Sequence, residues 1–287
     1  MFWQQSVNGL SVGLVYGLLA IGLVMIFSTT RIVNFAHGEI FSLGAFIGLA
    51  LQGSLHLSFG LAGVTAVGVV FIAFSIFGYV VNTKLRDSLT RSVATIAVGF
   101  GLRDLMLVVF GSDSSAYPTV YPEGGFDLGG VRLPYSAVII SGSTVVVLFG
   151  VAAFLWETRW GIFMRAVAQN ADLARATGIR AERFQAVAFG AGAALAALAG
   201  VLVSPQWHVS YTGGSSIALK AFTAALIGGF NSSTGTLLGG LLVGLLETFI
   251  AGYVSSTWKD LNVYVCLLLI LVFRPKGLLG VAKRRIG

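Results

Sequence analysis

The first thirty residues contain no Lys, Arg, Asp or Glu, and charge-free runs of similar length recur along the chain. A helix needs about 20 apolar residues to cross about 30 Å of hydrocarbon. One span fits near residues 7–28. Residues 40–83 run 44 long without such a charge and fit two spans joined by a short loop at 52–60. Residues 92–111 fit a fourth, interrupted only by Arg103 and Asp104, and residues 133–156 give 24 uncharged positions for a fifth. Residues 184–219 hold 36, enough for a sixth span ending near Ser204-Pro205 and an irregular Gly/Ser segment at 211–216. Residues 220–230 and 261–273 are short for a crossing, whereas 234–254 is full length. The spacing predicts an all-α polytopic membrane bundle of eight to nine crossings, some partial or broken, forming one domain over residues 1–287. The start, Met-Phe-Trp-Gln-Gln, lacks the basic n-region of a cleaved signal peptide, so the first span is expected in the mature protein. Composition agrees: 56% hydrophobic and 10% charged residues leave too few charges to cover a water-soluble globule of this size.

The net charge of +7 would suggest nucleic-acid binding in a soluble protein, but the placement of the charges gives another reason for it. Fourteen of the 18 Lys and Arg fall in alternate loops: Arg31; Lys84, Arg86 and Arg91; Arg159, Arg165, Arg175, Arg180 and Arg183; and five residues from Arg274 to Arg285. Short loops rich in Lys and Arg stay cytoplasmic. This puts the C-terminus in the cytoplasm and the loop at 112–134, with its acids Asp113, Glu123 and Asp127, on the outer face. The side of the N-terminus depends on whether residues 31–39 form a true loop or a break within the membrane. The single cysteine, Cys266, excludes an internal disulfide framework and a Cys-rich metal site. His37, His56 and His208 lie on separate segments near span edges without metal-ligand spacing, which favours capping or bulk-facing roles.

Small residues recur every four positions at Gly9, Gly13 and Gly17, at Ala188, Gly192, Ala196 and Gly200, at Gly235 and Gly239, and at Gly240 and Gly244. In lipid such stripes let helix backbones approach closely, either to pack this subunit or to slide. Charges inside spans are costly and so mark candidate sites. Glu39 either complements a helix start or acts in transport. Arg103 and Asp104 are adjacent, point about 100° apart on a helix and need other partners. Lys220 and Glu247 bound an uncharged run and read as interfacial, with their stems snorkelling.

Residues 158–183 form the most informative polar piece. Gly161 and Gly178 bracket about four turns of expected helix. Arg165, Asp172 and Arg175 mark its polar face, and Ile162, Phe163, Ala166, Val167, Leu173 and Ala174 its apolar face. Such a helix lies on anionic lipid or fits a partner's groove. No phosphate-binding loop of the G-x-x-x-x-G-K-[ST] kind occurs, and no catalytic constellation gathers in one loop, so energy must come from another chain or from an ion gradient. No catalytic residue, cofactor or metal ligand is expected.

Several stretches together resemble the permeases of bacterial ABC importers for branched-chain amino acids. They are residues 8–22; Arg31-Ile-Val-Asn-Phe-Ala-His-Gly-Glu39 followed by Leu43-Gly44-Ala45; Arg165-Ala-Val-Ala-Gln-Asn-Ala-Asp172 through Ala176-Thr-Gly-Ile179; and Lys220-Ala-Phe-Thr-Ala-Ala-Leu-Ile-Gly-Gly229 with Gly235, Gly239 and Gly240. The resemblance covers nearly the whole chain. It implies a transport subunit that pairs with a second, related permease, binds two cytoplasmic ABC ATPases and receives cargo from a periplasmic substrate-binding protein, in the bacterial inner membrane. It makes residues 158–183 the coupling segment, with Arg165, Asp172, Arg175 and Gly178 at the ATPase contact. The resemblance does not itself give the role of residues 34–39; they are expected to shape a helix break lining the path, with Asn34, His37, Glu39 and Ser42 as the candidate residues. The family's cargoes include urea, short amides and aromatic acids besides branched-chain amino acids. From another class, an ion-coupled transporter would use Glu39, Arg103, Asp104, Lys220 and Glu247 as a relay; an intramembrane enzyme is disfavoured because no nucleophile and base converge.

Overall fold

The computed structural model of the protein describes residues 1–85, 87–112, 117, 120–230 and 232–273. Among them, seven helices are long and apolar enough to cross a membrane. These are α1 (Phe2–Thr30), α2 (His37–Leu55), α3 (Phe59–Lys84), α4 (Ser88–Phe110), α5 (Tyr135–Glu157), α8 (Ala181–Val203) and α10 (Ser233–Tyr253). Two shorter helices, α9 (Gly213–Gly228) and α11 (Lys259–Phe273), complete the bundle, and α6 (Arg159–Gln169) and α7 (Ala171–Ala176) lie between α5 and α8. The expected spans are all present. The segment at 211–216 differs from its expectation, because α9 already begins at Gly213.

The outer helices α4 and α5 turn apolar side chains such as Val108, Val146 and Phe149 outward, while α1 and α8 are buried along most of their length. An apolar exterior around a buried apolar centre is what a bilayer stabilises, since lipid replaces water as the solvent. The Gly stripes explain the central contacts. Gly9, Gly13 and Gly17 of α1 face Gly240 and Gly244 of α10 so closely that a Cβ on Gly13 would stand 2.7 Å from the Leu241 Cα. On the α8 stripe, Gly192 meets Gly22 of α1 and Gly200 meets Phe41 of α2, backbone against backbone. These stripes therefore pack the subunit itself.

At one end, the loop before α5 folds into a hairpin of β1 (Gly125–Leu128) and β2 (Val131–Pro134), antiparallel with Phe126 opposite Leu133. Gly129-Gly130, both at positive φ, supplies the tight turn whose twist suits a two-residue hairpin, a signal present in the sequence. The Gln4 side chain both donates to Arg132 O and accepts from Arg132 N at 2.8 Å, pinning the hairpin to the start of α1. At the opposite end lie α6 and α7, together with Arg31, Lys84, Arg91, Arg159 and Arg183 at the ends of the neighbouring helices. Arg86, Asp113 and the basic residues 274–285 lie outside the described residues.

Candidate functional site

Three places carry chemistry: the break between α1 and α2, the α6–α7 unit, and a set of charges, two of them buried, among α1, α9, α10 and α11.

Helix α1 stops where Arg31 turns left-handed at φ 58°, and the chain is irregular from Ile32, with a turn at Phe35-Ala36, before α2 begins at His37. The α2 start is not at the membrane edge: His37 Nε2 donates to Leu19 O at 3.0 Å, and Leu19 lies eleven residues, or about 16 Å, from the end of α1. Residues 31–36 thus return into the bundle. Backbone groups at such depth must find partners inside the protein. Ile32 N–H donates to Thr30 Oγ1, Ala36 N–H to Asn34 Oδ1 at 3.2 Å, and Phe35 N–H to Thr95 Oγ1 of α4 at 3.1 Å.

Five of the six residues in the Asn-Phe-Ala-His-Gly-Glu run then have a task. Asn34 closes the turn, Ala36 packs under Gly99, and Gly38 crosses Gly214 of α9 with no room for a Cβ. Glu39 sits in the first turn of α2, where it complements the free N–H groups, and its Oε1 also accepts from the Ser215 hydroxyl of α9 at 2.8 Å. His37 and Asn34 are each only 1% exposed, which corrects the expectation of a capping or bulk-facing histidine. Asn34, His37 and Glu39 line one cavity of about 300 Å³ with Ser215, Leu219 and Phe222. Among the described residues, Asn34 Nδ2 and His37 Nδ1 are buried without a hydrogen-bond partner. Ser42 lies elsewhere, on the wall of a larger cavity of about 530 Å³.

The segment at 158–183 is two helices, not one. Asn170, extended at φ −157°, ends α6 and caps α7, its Oδ1 accepting from Asp172 N at 3.0 Å and Leu173 N at 3.1 Å. Such a cap is worth about 1 kcal/mol, and Asn favours it over a helix interior. Gly161 lies inside the first turn of α6, under the α5 carbonyls, rather than before the helix. Gly178 does end α7, at φ 85°, donating to Arg175 O at 3.0 Å.

The break splits the expected polar face. Arg165 stacks on Trp156 with its guanidinium 4.2 Å from the ring centre, while Arg175 bridges Asp172 and Glu182 at 2.7 Å each. Those two carboxylates, Glu182 first, hold the Arg175 guanidinium above its usual range. The apolar face is redistributed as well: Met164, Val167 and Ala174 are buried and Phe163 is partly covered, whereas Ile162 and Leu173 point outward, Leu173 65% exposed. The unit is clipped to the bundle by Arg31, whose Nη2 donates to Ala168 O at 3.0 Å, and by Trp160 and Phe163 against Phe184.

Lys220 and Glu247 do not snorkel. They are 6% and 7% exposed and pair at 2.7 Å across α9 and α10. Asp260 lies 2.9 Å from the same ammonium, Lys259 lies 3.4 Å from Glu247, and the Tyr16 hydroxyl donates to Glu247 Oε2 at 2.7 Å. Sequence reasoning separated these residues because they lie on four helices; two opposite charges within apolar surroundings were the available signal. The five charges suggested for an ion relay do not come together, since Arg103 stacks on Tyr211, Asp104 is exposed and Glu39 holds Ser215.

A family model described as "Branched-chain amino acid transport system / permease component" matches residues 5–273. The chain belongs to that family. It is 37% identical to the high-affinity branched-chain amino acid transport system permease protein BraD of Pseudomonas aeruginosa, over 97% of this chain and 96% of that protein. To the corresponding permease protein LivH of Salmonella typhimurium it is 31% identical over the same shares. Among solved structures, this permease resembles PsaBC from Streptococcus pneumoniae in complex with Fab, at a TM-score of 0.51 and 17% identity, covering 94% of this chain and 91% of that one. A likeness at that identity speaks for the fold alone.

Proposed function

We propose that this chain is the membrane-spanning permease subunit of an ATP-driven importer for branched-chain or closely related amino acids. The observation that carries the reading is the full-length match to relatives named as permeases of high-affinity branched-chain amino acid transport systems. The chain acts as a single permease domain and hydrolyses no nucleotide; two ABC ATPases dock beneath it, a second permease pairs with it, and a binding protein delivers cargo from the periplasm. The gathering of Arg and Lys at the α6–α7 end supports a cytoplasmic placement of that end. The basic residues that follow α11 in the sequence support the same side for the C-terminus, in the inner membrane.

Coupling is assigned to α6 and α7. Arg165, Asp172, Arg175 and Gly178 shape the unit, and the outward Leu173 offers an apolar knob for an ATPase groove. A unit clipped to α1, α5 and α8 transmits displacement to those spans, shifting the population between outward and inward openings by its differential contact with the ATP-bound dimer. Asn34, His37 and Glu39 form the path where α2 starts inside the bundle, and Ser42 lies one turn further along.

In proteoliposomes holding the full complex, with ion gradients collapsed by ionophores, leucine uptake is expected to follow internal or external ATP supplied to the ATPase side. Uptake that stops on collapse and ignores ATP overturns the reading. Asn34→Leu is expected to lower uptake at least fivefold at an unchanged level of assembled complex. It removes the acceptor for Ala36 N–H, and a buried unpaired donor costs about 1–3 kcal/mol, enough to move the α2 start. An unchanged uptake rate returns Asn34 to packing alone.

A further inference from the structure

The cavity of about 530 Å³ lies in the size range of small-molecule sites, and its wall is of two kinds. Its apolar lining comes from Val12, Phe41, Ala45, Val203 and Ile217, with the small hydroxyls of Ser42 and Ser204 among them. The polar lining holds Tyr16, Lys220, Glu247, Lys259 and Asp260, the network described above. Two ammonium and two carboxylate groups sum to no net charge. A network that served only to bind helices together would be sealed between them. This one faces the cavity, and the side chains of Lys259 and Asp260 are 40% and 48% exposed.

The geometry points to this wall as a binding site within the permease for the head group of a zwitterionic α-amino acid whose side chain is apolar and uncharged. This rests on the amino-acid permease reading and goes further by assigning residues. The cargo ammonium takes the place of Lys259 beside Glu247, and the cargo carboxylate takes the place of Asp260 beside Lys220, so the two half-exposed side chains are the ones released. Exchange of like for like keeps every buried charge paired, and that is the condition for holding ions in a low dielectric. The Tyr16 hydroxyl, donating at 2.7 Å, holds Glu247 in place during the exchange. A cargo with a charged side chain would leave one charge uncompensated, and a cargo lacking either head-group ion would leave a network member unpaired. The apolar wall receives the side chain, so one cavity selects both ends of the molecule.

The test uses the assembled complex in proteoliposomes, with Cys266→Ser removing the native thiol and Ser216→Cys placing a reporter on the exposed cavity rim. Saturating L-leucine is expected to slow maleimide labelling of the reporter at least fivefold. Isopentylamine and 4-methylpentanoate, each carrying one head-group ion, are expected to slow it less than twofold. Adding Lys220→Met with Glu247→Gln, which removes one charge of each sign, is expected to abolish protection by leucine. Labelling that leucine leaves unchanged overturns the site, as does equal protection by either single-ion analogue. The permease reading is scored separately by ATP-driven leucine uptake in the same vesicles. Uptake without protection sinks only the site, and absent uptake sinks the permease reading while labelling still reports on the cavity.

Discussion

Gly178→Pro is expected to reduce ATP-driven uptake to background while the chain still inserts and assembles. Gly178 sits at φ 85°, and proline is locked near −65°, so the turn between α7 and α8 cannot keep its shape. The substitution also deletes the N–H that donates to Arg175 O at 3.0 Å. What moves is the register between Arg175 on α7 and Glu182 at the start of α8, joined at 2.7 Å. The packing of the spans against one another is not touched, because α7 meets the bundle at the start of α8, where Ala174 clusters with Ala181 and Phe184. Gly178→Asn is expected to retain most of the uptake, since asparagine tolerates the left-handed conformation. Measurement of uptake beside ATP turnover checks the assignment: transport at the wild-type rate in the proline variant would remove α6–α7 from the coupling role. Arg165→Glu tests the same unit by a different route, trading the guanidinium stacked on Trp156 for a carboxylate that the ring face repels.

The second large effect concerns assembly. Gly13→Leu is expected to abolish the folded permease, read as loss of assembled complex from the membrane and of a cooperative melting transition in detergent. A Cβ there meets the Leu241 backbone at 2.7 Å and the Gly240 carbonyl at 2.9 Å. Backbone cannot rotate away as a side chain tip can. Overpacking that costs about 1–3 kcal/mol in an adaptable core therefore becomes a separation of α1 from α10. That separation would also pull Tyr16 from Glu247. Gly68→Leu, at a site with open space around it, is the matched control and is expected to leave complex levels unchanged. Normal levels of the Gly13 variant would mean that the two stripes are not the contact that holds the bundle.

Much of the architecture was legible in one dimension because a bilayer imposes a length on every helix and a penalty on every charge. The spans at 40–83, 133–156 and 184–203 could be read by counting, and the Arg and Lys loops could be paired with one end of the bundle for the same reason. The Gly stripes announced close approach, although not which stripe meets which. Gly178 marked a helix end through its lack of a Cβ. Asn170 carries no such mark in the sequence, where it stands inside an apparent helix, and only its two accepted N–H bonds reveal a break.

What the chain determined alone was its class: membrane-spanning, helical, without an energy-converting motif, and bearing the run Asn34-Phe-Ala-His-Gly-Glu39. Tertiary structure decided everything that depends on pairing between distant segments. It placed His37 against Leu19 deep in the bundle, and it brought Tyr16, Lys220, Glu247 and Asp260 to one cavity wall. The physical reason is that burial in lipid acts on each helix by itself, through length and hydropathy, whereas satisfying a buried polar group needs a partner. That partner's position in the sequence carries no mark of the meeting until the helices pack.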